Sequence, residues 1–296
     1  MLKFLFWDVQ HGSAAFITTP NKRRIVVDLG AGIYGSERPF SPVSVLRANG
    51  LLDELDLLII THPHADHIAD IDSLSGLKVR DLITPPIPEA VLAQTAVNAG
   101  PEFDTYRNLV ASFDYPMPFS FAGSRVHDWD GVKITSFFPN CQSSNINDYS
   151  AVMLFEYSDT KLLLAGDNEE CSWRALLEER SFVKAIRGID VLVAPHHGRQ
   201  SGFYPPLFEV IHPKITIISD GPLQDTSATE RYSAVTSGWK VRAGSSSEKR
   251  KCVTSRCDGN ILVEFRDAFF IKDFNIAVEK TSASAPKFSE SRRIRI

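Results

Sequence analysis

The segment Thr61–His67 contains three histidines and one aspartate, directly after an apolar run. Imidazole and carboxylate groups are the usual protein ligands of divalent transition metals. In an extended segment His62 and His64 point to the same side, and we expect Asp66 and His67 to follow where the chain turns. One ion cannot easily use all four groups. The spacing therefore predicts two adjacent metal ions, although a His-rich loop facing solvent has the same composition.

Other polar side chains also follow apolar runs. Asp167 comes after a glycine, where it could bridge two ions or cap the helix that follows. His196 and His197 are adjacent and should diverge, so we expect at most one of them to bind a metal directly. The other could orient a ligand, contact substrate or donate a proton. Asp28 is either a carboxylate that holds a metal-binding imidazole or a turn residue at a strand end.

The remaining histidines lack such neighbours. His11, His127 and His212 are each expected at the surface or in a local hydrogen bond. His11 differs from the other two because it lies in a glycine-containing loop, which could face the site. We assign none of the three a role in metal binding.

Short apolar segments alternate with a few amphipathic ones along the chain. They predict two sheets flanked by helices in one domain over residues 1–280, with a first half ending near residue 130 and a flexible, basic and Ser-rich tail at 281–296. Strands are predicted at 2–7, 14–18, 24–29, 55–60, 79–84, 132–138, 151–157, 161–165, 191–194, 215–219 and 261–265, and helices at 42–49, 68–75, 89–98, 102–113 and 169–179.

The composition is that of an ordinary globular protein, with 43% hydrophobic and 23% charged residues and a formal net charge of −4. No global basic field indicates nucleic-acid binding, although local patches can act alone. The four cysteines form no C-x-x-C pair, which fits a reducing compartment. No segment has the features of a signal peptide or the length of a membrane span. We therefore expect a cytoplasmic protein without a membrane contact.

These motifs together resemble those of the metallo-β-lactamase-fold hydrolases. The likeness lies in residues 62–67, 166–167 and 196–198. One branch fits further, because residues 6–14 are similar to the Asp-Val-Gly-Gln-Gly-Asp-Ala opening of the hydrolase domain in ComEC-type DNA-uptake competence proteins. The segments 145–152, 163–170, 193–198 and 254–261 also resemble that branch. The resemblance covers most of residues 1–265.

The resemblance implies an α+β fold, a four-layer αββα sandwich with a site for two divalent ions, Zn²⁺ or Mn²⁺, at one edge. Asp28 would lie behind that site. The implied ligands are His62 and His64 for the first ion, Asp66, His67 and His196 or His197 for the second, and Asp167 between the two.

Two departures from the family pattern concern the first ion and the opening loop. Most members place a third histidine between the first motif and the bridging aspartate, whereas this chain has only His127 there, in a poor context. The loop at 145–150 occupies that place, so Asn147 or Asp148 is expected to substitute. An oxygen ligand would favour Mn²⁺ relative to Zn²⁺. The opening loop departs from the branch at His11 and Ser13.

The expected function is that of a metal-dependent hydrolase. Two ions can share a hydroxide nucleophile and polarise the oxygen atom under attack, which suits phosphodiester cleavage. Asp66 would orient the hydroxide, and the spare histidine of the pair His196 and His197 would protonate the leaving group. A nuclease acting on single-stranded or exposed nucleic acid is the leading hypothesis. The basic runs at 249–251 and 292–295 could contact such a substrate, but they are also typical of a solvated turn and a loose tail.

Two alternatives use the same residues differently. An esterase or lactonase acting on a small carbonyl substrate would use the same hydroxide but would need no anion-binding groups near the metals. A non-catalytic binding module would explain the missing third histidine. A stand-alone hydrolase of this kind could act with a separately encoded protein partner, and the sequence leaves the oligomeric state open.

Overall fold

Short strands rich in β-branched and aliphatic residues make up most of the fold. The computed structural model describes residues 1–32, 39–113, 128–221, 226–267 and 273–279. The strands are β1 (Leu2–Phe6), β2 (Ala14–Thr18), β3 (Arg24–Leu29), β4 (Glu54–Ile59), β5 (Lys78–Ile83), β6 (Lys133–Phe137), β7 (Val152–Tyr157), β8 (Thr160–Leu164), β9 (Val191–Val193), β10 (Ile215–Ile218), β11 (Trp239–Ala243), β12 (Ser246–Arg250), β13 (Cys252–Thr254), β14 (Asn260–Phe265) and β15 (Phe274–Glu279).

The helices are short, and most lie between strands. They are α1 (Pro42–Ala48), α2 (Ala65–Ile68), α3 (Glu89–Ala96), α4 (Pro101–Ala111), α5 (Glu170–Glu178), α6 (Arg180–Ile186), α7 (Leu207–Val210), α8 (Thr229–Val235) and α9 (Ser255–Asp258), with 3-10 turns at Ile71–Leu74 and Ile146–Tyr149. Within the described ranges no helix is long and apolar enough to cross a bilayer.

The strands form two mixed sheets. In the described part of the chain the larger sheet has nine strands in the order β12-β11-β15-β14-β1-β2-β3-β4-β5, and the smaller has six in the order β13-β10-β9-β8-β7-β6. The neighbours β3, β4 and β5 are parallel, as are β8, β9, β10 and β13. The carboxyl ends of parallel strands lie at one edge, which is where polar loops of such sheets meet.

The two sheets pack face to face, with helices on both outer faces. Aromatic rings fill the space between them, where Phe4 lies 5.4 Å from Phe155 of the smaller sheet and 5.2 Å from Phe265, measured between ring centroids. Each such buried side chain contributes about 1.5–3 kcal/mol. Helices α1, α2 and α4 cover the larger sheet, and α5 to α8 cover the smaller one. The expected αββα sandwich is confirmed.

The division into halves is only partly as predicted. Strands β1–β5 and β6–β10 do belong to different sheets, but β11, β12, β14 and β15 return to the larger sheet. A first half ending near residue 130 is therefore not a structural unit. The strands at 239–243 and 246–250 were not predicted, because their residues are mostly polar and exposed and lack an apolar pattern.

Helix positions also differ from the prediction in one functional segment. The helix expected at 68–75 begins earlier, at Ala65, and a separate 3-10 turn follows at Ile71–Leu74. The earlier start reflects a local turn, since the His67 N–H donates to the His64 carbonyl at 2.9 Å. The helices α6, α7 and α8 were not predicted at all.

Candidate metal centre

The segment after β4 places its four polar side chains around one point. His62 and His64 lie in extended chain before α2, and Asp66 and His67 lie in its first turn. The His62 Nε2 and His64 Nδ1 atoms are 3.0 Å apart. The His67 ring is almost fully buried, with 1% of its side chain exposed. The early helix start therefore presents all four groups to the same edge of the sheet.

Asp167 brings a carboxylate from the smaller sheet into the centre of this group. Its Oδ1 lies 3.3 Å from His67 Nε2, and its Oδ2 lies 3.9 Å from His62 Nε2. The preceding Gly166 has φ +56°, and a Cβ there would lie 2.7 Å from the Cβ of Ser150. Only glycine allows the chain to turn this tightly, so Gly166 fixes where the Asp167 carboxylate points.

His196 and His197 diverge, as adjacent residues were expected to do. Both have left-handed backbone, with φ +48° and +53°. His197 donates from Nδ1 to the Ser219 carbonyl at 2.9 Å, which leaves its Nε2 facing Asp66 Oδ2 at 3.1 Å. The same Nε2 is 3.3 Å from His67 Nε2. His197 is thus the member of the pair that enters the cluster.

His196 turns to a different partner, Glu169. Its Nδ1 lies 2.8 Å from Glu169 Oε1 and 2.8 Å from Ser201 Oγ, and its Nε2 is 4.0 Å from Asp167 Oδ2. The hydrogen bond from His196 lowers the pKa of Glu169. His196 therefore lies beside the cluster, and Glu169 and Ser201 fix the orientation of its ring.

Asp28 lies behind His67. Its Oδ2 is 2.8 Å from His67 Nδ1 and accepts from the Thr61 hydroxyl at 2.8 Å, and its Oδ1 accepts from the Thr61 N–H at 2.7 Å. A carboxylate at Nδ1 fixes a proton there, so Nε2 is the atom directed into the site. Asp28 thus orients the His67 ring and sets its tautomer.

The cluster has strongly shifted pKa values. Burial favours a neutral ring at His67, but the carboxylates of Asp167, Asp28 and Asp66 raise its pKa well above the usual value. Burial has the same effect on His197, where Asp167 and Asp66 nevertheless raise the pKa to about 9. Conversely, burial opposes ionisation of Asp66 and Asp167, but the two imidazoles hold both of their pKa values below the usual range. Two buried anions therefore require a cation next to them.

The pKa values of His62 and His64 shift in the opposite direction. Burial lowers the pKa of His62 well below its usual value, with a smaller effect from His67. Burial also lowers the pKa of His64. Neutral imidazole is the form that binds metals. Both rings are therefore ready to act as ligands at neutral pH.

The distances fit metal ions. Nitrogen atoms bonded to one tetrahedral ion at about 2.0–2.1 Å lie roughly 3.3 Å apart, close to the separations within the pairs His62–His64 and His67–His197 (3.0 and 3.3 Å). Among the described residues, two groups have donor atoms that all lie within 4.8 Å of one another, and they are His62, His67 and Asp167, and His11, Asp66 and His197. Donor type, spacing and charge thus suit divalent cations.

Asn147 contributes an amide from the loop at 145–150. Its Nδ2 donates to Glu169 Oε1 at 3.2 Å, and its buried Oδ1 has no hydrogen-bond partner among the described residues. Such an orphaned acceptor is costly unless a cation or water satisfies it. The neighbouring Asp148 differs, because its oxygens accept from the Ser172 N–H and the Ser143 hydroxyl. Asp148 anchors the loop to α5, so Asn147 is the member of the pair with a free oxygen.

Two groups at the site, Glu169 and Arg199, were not found from the sequence. Glu169 was overlooked, although it follows Asp167 by two positions and precedes a helix. His11 was expected at the surface, in a loop that could face the site, and its exposed side chain does face it, with Nε2 3.3 Å from Asp66 Oδ2 and its ring 4.8 Å from that of His197. Burial and the nearby His197 lower its pKa. The only sequence signal for His11 was the glycine beside it.

Arg199 also lies at the mouth of the cluster. Its Nη2 is 3.3 Å from His11 Nε2, and its guanidinium forms no ion pair with any residue that the structure describes. By contrast, Arg250 of the run at 249–251 is paired with Asp258 through two hydrogen bonds of 2.6 and 2.9 Å.

His212 is exposed, as expected. His127 and the tail at 281–296 lie outside the described residues.

Sequence comparisons give relatives that are much longer than this chain. Recombination protein 2 of Haemophilus influenzae is 27% identical over 217 residues, which are 72% of this chain and 24% of that protein. ComE operon protein 3 of Bacillus subtilis is 26% identical over 234 residues, or 72% and 28% of the two proteins. The chain thus spans about a quarter of the length of these relatives. They support the resemblance to the competence proteins.

Similar solved structures include the metallo-β-lactamase fold protein YhfI of Bacillus subtilis and Zn²⁺-bound PqqB of Methylobacterium extorquens. YhfI is 13% identical with a TM-score of 0.46, and the match covers 80% of this chain and 94% of YhfI. PqqB is 12% identical with a TM-score of 0.45, and the match covers 88% and 99% of the two chains. The sequence profile decides the family: the beta-lactamase superfamily domain matches residues 23–212. The chain belongs to the beta-lactamase superfamily and has the metallo-β-lactamase fold.

Proposed function

We propose that the protein is a metal-dependent phosphodiesterase whose substrate is a polynucleotide. The observation that carries this proposal is the Arg199 guanidinium, which lies at the mouth of the centre without an anionic partner among the described residues. A planar guanidinium binds two oxygens of a phosphate through parallel N–H bonds. A neutral ester or lactone needs no such group. Arg199 therefore favours a phosphodiester over a small carbonyl substrate.

His11 supports Arg199 in this role. The pKa of His11 is lowered by burial and by His197, so its ring is neutral at pH 7 and accepts a hydrogen bond from Arg199 at Nε2. The contact holds the guanidinium against the His11 ring at the mouth of the site, and the neutral ring leaves its charge uncompensated. His11 thus positions the arginine rather than adding a second charge.

The proposed ligands of two divalent ions are the histidines and aspartates that meet at the centre, together with Asn147, whose buried Oδ1 has no hydrogen-bond partner among the described residues. When bound, the ions would supply Lewis acidity to the phosphoryl oxygen and activate water. Asp66 Oδ2 faces the mouth, where it would accept a proton from an attacking water and orient it. The proposed ligands are His62, His64, Asn147 and Asp167 for the first ion, and Asp66, His67, His197 and Asp167 for the second.

His196 is proposed to protonate the leaving group from Nε2. Its Nδ1 is held by Glu169 and Ser201, so Nε2 is the atom left to face substrate. Glu169 accepts a hydrogen bond from Nδ1 and so orients the ring for this transfer. His196 would then act on substrate, whereas His197 would act on the metal.

The relatives favour a polynucleotide over a small diester. They are named recombination protein 2 and ComE operon protein 3, and the second name agrees with the likeness of residues 6–14 to the competence proteins. Since the chain corresponds to about a quarter of each, DNA uptake itself is not part of the proposal.

The test is hydrolysis by protein loaded with Mn²⁺ or Zn²⁺, on single-stranded DNA, RNA, a chromogenic phosphodiester, an ester and a lactone. We expect Arg199→Gln to lower kcat/KM for the phosphodiesters by about 10- to 100-fold, the value of a charged hydrogen bond. The matched control is Arg231→Gln, since Arg231 contacts the Phe203 ring at 4.0 Å and bonds Gln200.

Two results would contradict the proposal. Faster turnover of the ester or lactone would indicate the carbonyl hydrolase, and equal activity in an Asp66→Ala/His67→Ala variant would remove the centre from the reaction. Metal content provides a separate check, because less than one ion per chain under replete conditions would indicate a binding module.

A further inference from the structure

The hairpin of β11 and β12 carries a row of cations on its outward face. Lys240, Arg242, Lys249 and Lys251 are all exposed, and we call these four residues the basic ribbon. Alternation along β11 puts Lys240 and Arg242 on one face. Lys249 and Lys251 share that face, because a Cβ on Gly238 would lie 2.7 Å from Lys249 Cε and 3.5 Å from Lys251 Cγ. The four charges are therefore neighbours.

These charges have no partner of opposite sign in the described residues. Lys240 and Lys249 are directly opposite each other across the hairpin, an arrangement that destabilises a sheet. No ion pair is formed by any member of the ribbon with a described residue. The arrangement therefore carries a cost that nothing on this face of the hairpin compensates.

The inward face of the same hairpin is built differently. Val241 is buried, Trp239 stacks on Phe274 with 4.4 Å between ring centroids, and Arg250 is paired with Asp258. Glu248, the acidic residue of β12, lies on that side, 3.8 Å from Arg250. Packing on the inward face thus holds the hairpin in place, and the charged side chains on its outward face are all basic.

Protection of an edge strand does not account for the whole ribbon. Strand β12 is the edge of the larger sheet, and lysines there would block unwanted pairing with other chains. Lys240 and Arg242 belong instead to β11, which is paired on both sides, with β12 and with β15. A binding surface explains all four cations, whereas edge protection explains only the two on and beside β12.

The ribbon lies on the same sheet as part of the metal centre. Strand β12 is four positions from β1 in the sheet order, which corresponds to roughly 20 Å across the sheet, and Arg242 is in register with Leu5, so the ribbon is also set back along the strands from the loop that follows β1. The loop after β1 carries His11, at the mouth of the site. A single strand of a few nucleotides could extend from the centre to the ribbon, a distance within the site sizes of single-strand binding surfaces.

We propose that the basic ribbon binds the sugar–phosphate backbone of a single-stranded polynucleotide whose phosphodiester is presented to the metal centre. The inference rests on the proposed function for the identity of the reaction. The binding itself does not depend on the proposed function, because it follows from four cations on one face that form no ion pair with a described residue. The contacts are with phosphates, so they confer affinity and position and no sequence preference.

The test compares two variants with four substitutions each. The ribbon variant is Lys240→Gln/Arg242→Gln/Lys249→Gln/Lys251→Gln. The control is Arg174→Gln/Arg180→Gln/Lys184→Gln/Arg187→Gln, which removes the same charge from exposed positions on and beside α5 and α6. Binding to a labelled single-stranded oligonucleotide is measured by fluorescence anisotropy over a range of salt concentrations. An Asp66→Ala/His67→Ala background prevents cleavage during the measurement.

The ribbon variant should bind about tenfold more weakly or worse, and the slope of log affinity against log salt should fall by about 3, since each phosphate contact on a single strand contributes about 0.7. The control variant should keep both values. With an intact metal centre, the ribbon variant should hydrolyse the chromogenic phosphodiester at the unsubstituted rate. Equal weakening in both variants would overturn the proposal, as would an unchanged affinity of the ribbon variant.

Two further outcomes separate this proposal from its rivals. Loss of binding to phosphatidylserine-containing vesicles, with oligonucleotide binding unchanged, would assign the ribbon to a membrane surface and overturn the inference. If the chromogenic phosphodiester is inert but the ribbon-dependent binding is present, the proposed function fails and the ribbon assignment stands. If that diester is cleaved but the ribbon substitutions leave oligonucleotide binding unchanged, the proposed function stands and the ribbon assignment fails.

Discussion

Asp28 has a left-handed backbone conformation, with φ +57°, near the end of a buried strand. Such a conformation costs a non-glycine residue of order 1–3 kcal/mol. In return its carboxylate accepts three hydrogen bonds, two from Thr61 and one from His67 Nδ1. The strain thus coincides with the residue that sets the tautomer of a proposed metal ligand.

Replacing Asp28 with asparagine should weaken metal binding by about 10- to 100-fold, since a second hydrogen-bond partner of a ligand is worth that much. The amide lacks the charge that raises the pKa of His67 and cannot hold its Nδ1–H as strongly. Competition with a chromogenic chelator measures the affinity.

Asp56→Asn is the matched control. Asp56 is also buried and accepts from Arg23 and from the Arg24 N–H, but it lies at the start of β4, away from the centre. Both variants should lose stability in urea, and only Asp28→Asn should lose metal affinity. Equal affinities in the two variants would show that Asp28 has no part in the centre.

Proximity in sequence decided which residues could be predicted. The segment at 61–67 is informative because its groups are neighbours along the chain. Asp167 and His197 were predicted because each follows a strand end. Glu169 and Arg199 become relevant only through contacts with His196 and His11, which depend on tertiary packing. No local pattern marks such residues, so they were missed.

The loop at 10–13 is packed directly on the backbone of α2. The Ser13 N–H donates to the Asp66 carbonyl at 3.1 Å, and Ser219 Oγ donates to the Gly12 carbonyl at 2.7 Å. Gly12 has φ +140°, and a Cβ there would lie 2.6 Å from the Asp66 carbonyl oxygen. Glycine therefore lets the loop approach closely enough to place His11 over the site.

Gly12→Ala should lower stability by about 1–3 kcal/mol, because the added carbon is forced against backbone that cannot move without shifting Asp66. Phosphodiester turnover should fall with it. Gly76→Ala is the control for backbone strain alone, since Gly76 has φ +74° and open space around it. It should cost about 1 kcal/mol and leave turnover unchanged. Urea denaturation and initial rates measure the two effects. Equal losses of turnover would mean that strain, not contact with Asp66, limits activity.

Elements with an aliphatic core pattern were predicted from sequence, and elements with one solvent-facing side were not. Strands β3, β4 and β8 are buried on both faces and read as apolar runs. Strand β12 exposes nearly every residue, and its partner β11 buries chiefly Val241. Their pairing comes from tertiary contact with β15. The basic run at 249–251 was therefore expected in a turn, whereas residues up to Arg250 are in a strand.

At the scale of the whole molecule, each sheet supplies part of the metal centre. In the larger sheet the segment after β4 provides Asp66 and His67, and the smaller sheet provides Asp167 and His197. Without metal, the buried carboxylates are balanced by protons on the two imidazoles, which raises the pKa of His197 to about 9. Protons and the proposed metal ions would therefore compete for the same position between the sheets.

The stability of the metal-free protein should fall as pH rises from about 6.5 to about 9. His197 has a higher pKa in the folded state than its ordinary 6.5, so its stabilising contribution is complete below 6.5 and is lost as the pH passes through about 9. Metal binding in the same pH range should release protons, because the ions displace them from His67 and His197. Urea denaturation of chelator-treated protein measures the first effect, and calorimetric titration in buffers of different ionisation enthalpy measures the second.

His197→Ala should flatten the pH dependence, whereas His212→Ala, at an exposed position, should preserve it. A metal-free protein that is equally stable at both ends of this range would show that protons do not hold the two sheets together at the centre.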